Sequence, residues 1–310
     1  MKIVFLDRKT IGEDLNLDKF NEFGEVVMYN FSKPEEIPER VADADIIILN
    51  KAPINRDTIG DAKNLKLVCV TATGTNNLDK EYLAEAGIEW RNVAGYSTDS
   101  VAQHTFALLL YVYEKLAYYD NYVKSEKYVN DEMFTHFAKN FNELAGKKWG
   151  IIGLGNIGKK VADIATVVGC DVSYFSTTGN HTDDTYPRVE LDELLRESDI
   201  VSIHAPLTDD TFHLIDADAL SKMKETAVLL NVGRGPIIDE QALADALENN
   251  IIAAAGVDVL DVEPMREDNP LRKIKNPEKL IITPHIAWAS VEARNKLMDI
   301  IYNQIKDFLK

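Results

Sequence analysis

The sequence predicts an α/β protein of two parallel-sheet domains, the second inserted into the first. Three observations predict it. Short Val- and Ile-rich runs alternate with polar segments of helical period almost from end to end, the pattern of strands joined by crossover helices. The alternation is interrupted once, at residues 98–124, by a stretch with neither Gly nor Pro. A closing amphipathic segment, residues 290–309, is left over when the second alternation ends and is expected to return to the first domain.

In the first alternation, strands are expected at 2–7, 25–29, 45–50, 66–70 and 88–92, with helices at 34–43 and 79–86. The stretch TDSVAQHTFALLLYVYEKLAYYDNYVK reads as a helix capped by Thr98 or Asp99 and apolar on more than one face. Such a helix is either central in a domain or covered by a second subunit. The second alternation places strands at 148–153, 171–175, 200–204, 228–232, 253–257 and 280–283. The implied limits are 1–97 with 287–310 for the outer domain, and 98–286 for the inserted one.

Composition narrows the function. At 310 residues with 45% apolar side chains, the chain is long enough for two domains with substantial cores. A net charge of −17 argues against a nucleic-acid binder, which needs a basic patch to replace phosphate counterions. It still permits an anionic substrate, because a few arginines or lysines reverse the potential locally. Cys69 and Cys170 lie singly in apolar runs, so neither a disulfide framework nor a metal site is expected. There is no signal-like segment and no apolar run long enough to span a membrane, so a cytoplasmic protein is expected.

The sharpest local signal is WGIIGLGNIG at 149–158, continuing as KKVADIATVVG. Glycines in GxGxxG spacing mean little alone; these follow an apolar strand and open an apolar-periodic helix, as a dinucleotide-binding turn requires. Gly153 permits the tight turn, Gly155 lets a pyrophosphate approach the backbone, and Gly158 lets helix and strand pack closely. The helix start, with Asn156 and Ile157, then turns its amides to the phosphates. The following strand ends in Ser176, where an NAD site usually carries Asp or Glu for the ribose 2′-hydroxyl. No arginine follows directly to hold a 2′-phosphate, although His181 and Arg188 lie downstream. Both NAD and NADP stay open.

Three later segments carry polar residues where strands end: LLNVGRGP with Arg234, GVDVLDVEP with Asp258 and Glu263, and ITPHIAW with His285. Ligands of open α/β sheets bind beyond the carboxyl ends of strands. Reduction of a 2-oxo acid needs a hydride at the carbonyl carbon and a proton at its oxygen. Histidine is a natural proton source near neutrality, a carboxylate beside it favours the charged form, and a guanidinium offers paired donors to a carboxylate. Taken singly, each residue has an ordinary explanation: a surface charge, a loop carboxylate, a strand-end cap. Their joint occurrence behind a dinucleotide turn points to chemistry.

At these residues the chain resembles the D-isomer-specific 2-hydroxyacid dehydrogenase family, over nearly its whole length. NVGRGPIIDEQAL, GVDVLDVEP and ITPHIAWAS match family segments, and VAQHTFALLL, ELAGKKWGIIGLGNIG and HAPLTDDTFHLI have relatives there. The resemblance implies a Rossmann cofactor domain inserted into a flavodoxin-like substrate domain. It implies that Arg234 binds substrate, Glu263 pairs with the histidine, His285 is the acid/base and Asp258 meets the nicotinamide end. By the same resemblance, His204, Ala205, Pro206 and Thr211 would line the cofactor site towards the adenosine, with Val232, Gly233 and Ala287 completing it. Dimers built on the cofactor domain are usual in the family, which would account for the apolar helix at 101–122.

On the substrate side, VTATGTNNLD follows a strand and precedes a helix, so the backbone at Thr73 and Gly74 suits a substrate carboxylate. A plain turn capped by Asn77 or Asp79 suits the same residues. The family uses the matching loop for the acid group. Lys51 and Ala52 end another strand, and Trp288 stands where it would wall the pocket or pack. The wording ATGTNNLD and HIAWAS is most like the glycerate dehydrogenase (hydroxypyruvate reductase) branch. The expected function is therefore reversible hydride transfer between NAD(P)H and a small 2-oxo acid. The alternatives are a reductase of bulkier branched or aromatic 2-oxo acids, a formate- or phosphite-acting relative, and a non-catalytic dinucleotide-sensing corepressor.

Overall fold

Each strand expected from the Val/Ile runs is present in the computed structural model, which describes residues 1–180 and 182–310, and every strand pairing is parallel. His181 lies outside the described residues. The chain divides into two units, Met1–Ser97 with Ala289–Lys310, and Thr98–Trp288.

The first unit holds strands β1 (Lys2–Phe5), β2 (Glu25–Met28), β3 (Ile46–Leu49), β4 (Leu67–Val70) and β5 (Glu89–Arg91) in the order β2-β1-β3-β4-β5. Helices α1 (Ile37–Val41), α2 (Arg56–Ile59) and α3 (Lys80–Glu85) cross between them. β3 (IIIL) and β4 (LVCV) are buried at every position, as central parallel strands covered on both faces must be. The helix expected at 34–43 starts as a 3₁₀ turn over Pro34–Glu36 and is α-helical only from Ile37. Pro38 has no N–H to give to Pro34, so the first α turn cannot close there. α3 begins where Asp79 accepts the Tyr82 amide at 3.0 Å.

The second unit opens with α4 (Thr98–Tyr113) and α5 (Leu116–Lys124). One helix across 98–124 was expected; the structure breaks it at Lys115, which is left-handed (φ 58°, ψ 36°) with its Nζ donating to the Val112 carbonyl at 3.0 Å. The apolar character of α4 is also explained within the unit, because Val101, Ala102, Leu108, Leu109 and Val112 are buried in its core. Then follow β6 (Lys148–Ile152), α6 (Asn156–Val167), β7 (Asp171–Phe175), α7 (Leu191–Glu197), β8 (Ile200–Ile203) and α8 (Ala217–Lys222). β9 (Val228–Asn231), α9 (Glu240–Glu248), β10 (Ala254–Val257) and β11 (Leu280–Ile282) complete the unit.

Its strand order is β11-β10-β9-β8-β6-β7. Beyond β7, Arg188 forms a parallel bridge with Tyr174, so the segment around it occupies the place of a further edge strand. With that bridge counted, the order becomes that of a dinucleotide-binding sheet. Two apolar clusters cover the two faces, one built on α4 and α6, the other on α7, α8 and α9. Trp149, fully buried on β6, packs against Phe106 with ring centroids 4.9 Å apart.

The last helix, α10 (Val291–Phe308), belongs to the first unit. It buries Ala293, Leu297, Met298, Ile301 and Ile305, one face of a helix. Arg294 pairs with Asp14 and donates to the Ile11 carbonyl, while Arg91 donates to the Gln304 carbonyl.

Candidate active site

In the second unit the sheet register aligns one row of residues: Phe175, Ile152, Ile203, Asn231, Val257 and Ile282. The next residue on each strand is Ser176, Gly153, His204, Val232, Asp258 and Thr283. Every candidate of this unit therefore lies at or beyond the carboxyl edge of one sheet.

The three loop glycines differ in what surrounds them. Gly153 is left-handed (φ 90°), and a Cβ there would meet the Ala205 amide nitrogen at 2.9 Å. At Gly158 a Cβ would sit 2.2 Å from the Gly153 carbonyl oxygen, so helix and strand touch only because it is absent. Around Gly155, the residue capping α6, there is open space, which leaves the helix start approachable.

His204 follows β8. Its Nε2 lies 2.9 Å from Ser202 Oγ, which also accepts the Trp149 indole N–H at 2.9 Å. The indole can only donate, whereas the serine hydroxyl can accept twice or give its own hydrogen to Nε2, so this contact serves either tautomer of the ring. That Nδ1 is buried and has no partner among the described residues. Burial pushes the His204 pKa down to about 3, so the ring is neutral. A buried polar nitrogen with no partner among the described residues, beside an open helix start, fits a polar ligand such as a dinucleotide. The nearby Thr211 hydroxyl is consumed locally: it donates to the Pro206 carbonyl and accepts the Thr208 amide, both at 2.8 Å.

Arg234 stands in the turn after β9. Asn231, 1% exposed, shapes that turn by accepting the Gly233 amide at 3.0 Å and donating to the Arg234 carbonyl at 2.9 Å. A Cβ at Gly235 would fall 1.9 Å from the Leu260 carbonyl carbon, so the loop carrying Glu263 lies directly on the arginine turn. Glu240, the first residue of α9, secures the same loop by accepting from the Asp261 amide and from Asn269 Nδ2.

His285 Nδ1 lies 2.7 Å from Glu263 Oε2, and Glu263 Oε1 accepts the Leu260 amide at 3.0 Å. A carboxylate only accepts, so Nδ1 carries a proton and Nε2 is the atom that can exchange one. The side chains are 27% and 33% exposed, open enough for a ligand and sheltered enough for a stable pair. His285 itself is left-handed (φ 55°), an uncommon state for a residue with a Cβ.

Asp258 holds that state. It is 1% exposed and its carboxylate accepts three donors: Thr283 Oγ1 at 2.6 Å, and the Ile286 and Ala287 amides at 2.8 Å each. The Asp258 carbonyl also accepts the His285 amide at 2.8 Å. His104 of α4 reaches Thr283 Oγ1 at 2.9 Å; the hydroxyl already donates to Asp258, so it accepts from His104 Nε2. Asp258 was singled out in the sequence for a ligand contact; what its geometry shows is a clamp on the histidine turn. His104, Asn231, Thr283 and Glu240 were not singled out. The available signal was a polar residue inside an apolar helix or strand end. Trp288 is half-buried and packs on the unit's core.

In the first unit the amides of Lys51 and Ala52 are taken. They donate to Asp7 at 2.6 and 3.0 Å, with the Asn50 amide beside them at 2.8 Å. Burial pushes the Asp7 carboxyl up, while these amides pull it down. A ligand at this loop would meet the exposed Lys51 side chain, not its backbone. Thr73 is exposed, with its hydroxyl donating to the Val93 carbonyl at 2.9 Å. The amides of Thr73 and Gly74 donate no hydrogen bond among the described residues. Asn77 Nδ2 ties this loop to the Ala52 carbonyl at 2.8 Å.

Residues 106–287 match the family model for the D-isomer specific 2-hydroxyacid dehydrogenase, NAD binding domain. Over 316 residues the chain is 38% identical to a hydroxypyruvate reductase of Blautia hydrogenotrophica, covering 100% of this chain and 97% of that one. It is 36% identical over 312 residues to a glycerate dehydrogenase of Methylorubrum extorquens, covering 99% and 96%. Among solved structures, an acyclic imino acid reductase in complex with NADPH and D-Arg aligns with a TM-score of 0.87 at 32% identity, covering 100% and 97%.

Proposed function

We propose, from the premise that this chain belongs to the D-isomer specific 2-hydroxyacid dehydrogenase family, that its substrate is a small 2-oxo acid, hydroxypyruvate or glyoxylate. The chain is an NAD(P)-dependent oxidoreductase acting on 2-hydroxy acids. The small-substrate reading draws on the relatives named hydroxypyruvate reductase and glycerate dehydrogenase. The observation that carries the mechanism is the 2.7 Å contact between His285 Nδ1 and Glu263 Oε2.

The dinucleotide, when bound, supplies or takes the hydride. Gly153, Gly155, Gly158 and the amides of Asn156 and Ile157 would hold its pyrophosphate, and the buried His204 Nδ1 would find a partner on the bound cofactor. Arg234 binds the substrate carboxylate through paired guanidinium donors and draws on the adjoining carbonyl oxygen. His285 Nε2 gives its proton to that oxygen in reduction and takes it back in oxidation. Glu263 keeps the ring in the orientation and tautomer that make Nε2 the exchanging atom. On the first unit, Lys51, Thr73 and Gly74 are the residues assigned to the acid group.

The assembly assigned is a homodimer through the second unit. Val129, Met133, Phe134, Phe137 and Phe141, all between α5 and β6, are at least 55% exposed, an apolar surface of the kind that a subunit interface covers. Light scattering of the Phe134→Ser, Phe137→Ser double variant should report monomers where the parent reports dimers; a monomeric parent refutes the assignment.

The functional test is a panel of hydroxypyruvate, glyoxylate, and branched or aromatic 2-oxo acids with NADH and NADPH. Turnover concentrated on the first two is expected. Preference for the bulky acids would replace the small-substrate reading, and no turnover with either cofactor would remove the enzymatic one. His285→Ala should abolish the rate.

A further inference from the structure

β7 ends at Phe175, and residues 176–179 then turn tightly, with the Gly179 amide donating to the Ser176 carbonyl at 3.2 Å. The turn offers the hydroxyls of Thr177 and Thr178, the latter accepting the Asn180 amide at 3.3 Å, while Ser176 beside them is buried; it contains no carboxylate. The chain returns along the outer edge of β7, where the Tyr174 amide donates to the Pro187 carbonyl and the Val189 amide to the Tyr174 carbonyl, at 3.0 and 2.9 Å. That return brings Arg188 back to the turn the chain left nine residues earlier, and Arg188 Nη1 donates to the Gly179 carbonyl at 2.8 Å.

The return path is anchored. Lys159 of α6 pairs with Asp183 at 2.5 Å, Asp183 accepts the Thr185 and Tyr186 amides, and its own amide donates to the Tyr174 hydroxyl at 3.0 Å. The lysine contact and these amides hold the Asp183 carboxyl down to about 2, so its charge is matched by Lys159. Tyr186 adds a hydrogen bond to Asp163 of α6 at 2.7 Å. One donor of the Arg188 fork is spent on Gly179; the others have no hydrogen-bond partner among the described residues.

We infer that Arg188 and the hydroxyls of Thr177 and Thr178 form a receptor for a phosphate on the 2′-oxygen of the cofactor's adenosine ribose, so that the enzyme selects NADPH over NADH. The inference rests on the dinucleotide reading above and goes beyond it by naming the selecting residue. A guanidinium binds phosphate through charge-assisted, paired hydrogen bonds, whereas a ribose hydroxyl at the same place finds no carboxylate to receive it. The discriminating residue lies on the returning segment, remote in sequence from the strand end that conventionally decides the matter but brought back against it.

The test uses the whole chain and two probes, adenosine 2′,5′-bisphosphate and 5′-AMP, titrated by calorimetry. The bisphosphate is expected to bind about tenfold to hundredfold more tightly, the range of one or two charge-assisted contacts. Arg188→Gln should bring the two affinities within about twofold, and Ser176→Asp should reverse the order by repelling the 2′-phosphate. Equal affinities in the parent, or an undiminished preference in Arg188→Gln, would overturn the inference. If Arg188→Gln binds neither probe, Ser176→Asp decides: a reversed order supports the receptor, a retained preference for the bisphosphate overturns it. A parent that reduces 2-oxo acids equally well with both cofactors refutes the selection alone, whereas a parent that binds neither probe refutes the dinucleotide reading itself.

Discussion

Replacing Asp258 by Asn separates a clamp from a ligand contact. The carboxylate accepts one hydroxyl and two amide hydrogens in a site 1% exposed to solvent. Asparagine keeps one acceptor oxygen and turns an NH₂ group towards the remaining amide, so two donors face each other without an acceptor. Leaving one buried donor unsatisfied costs about 1–3 kcal/mol, and replacing charge-assisted bonds by neutral ones about halves each of those that survive. The left-handed His285 then keeps its backbone cost of about 1–2 kcal/mol with less to hold it. Together these predict about 3–5 kcal/mol of lost stability in the second unit and a histidine no longer fixed against Glu263. A misplacement of this kind lowers kcat by on the order of a hundredfold. The assay is urea unfolding followed by tryptophan fluorescence, which Trp149 and Trp288 report for this unit, alongside steady-state kinetics. Stability within about 0.5 kcal/mol of the parent, with only the cofactor KM raised, would refute the clamp and restore a simple ligand role.

The remaining expectations concern neighbouring groups. Glu263→Gln keeps an acceptor near His285 Nδ1 but removes the charge, so kcat should fall about tenfold to hundredfold with the cofactor KM little changed; an unaltered kcat would refute the pairing. Reduction takes a proton from His285 Nε2 and oxidation returns one, so raising the pH should slow reduction and favour oxidation. His204, held at about 3 by burial, is neutral throughout, so His204→Gln should weaken cofactor binding without moving that pH limb; a displaced limb in that variant would argue against the assignment. Trp149→Ala removes a fully buried indole with its hydrogen bond to Ser202 and should cost about 3–5 kcal/mol in unfolding measurements.

How far the sequence could be read follows the range of the forces involved. β3, β4 and β9 were legible because both faces of a central parallel strand are buried, which demands unbroken Ile, Val and Leu. The placement of Arg234, Glu263 and His285 was legible because strand ends in such sheets face ligands. The break at Lys115 was not: no Gly or Pro marks it, and the left-handed residue is a lysine whose own amine closes the turn. Nor was the return of Arg188, because a single parallel bridge nine residues beyond a turn leaves no periodic trace.

The arginine turn shows where pattern and cause part. NVGRGP reads as a glycine-flanked arginine turn directly after an apolar strand, a pattern that does not say what the two glycines do. In the structure neither φ value requires glycine: the positive-φ glycines are elsewhere. Gly233 is there because a side chain would press on the Ala205 carbonyl at 3.0 Å, and Gly235 because Leu260 occupies the space at 1.9 Å. The pair therefore works by proximity, drawing the loops of Ala205 and Glu263 onto the arginine from two sides. A Gly235→Ala substitution would accordingly act on Glu263 before it acted on Arg234. It should lower kcat through the histidine pair, with less effect on substrate KM. A variant that raised substrate KM alone would show that the turn's freedom, and not its closeness to Leu260, is what the glycine provides.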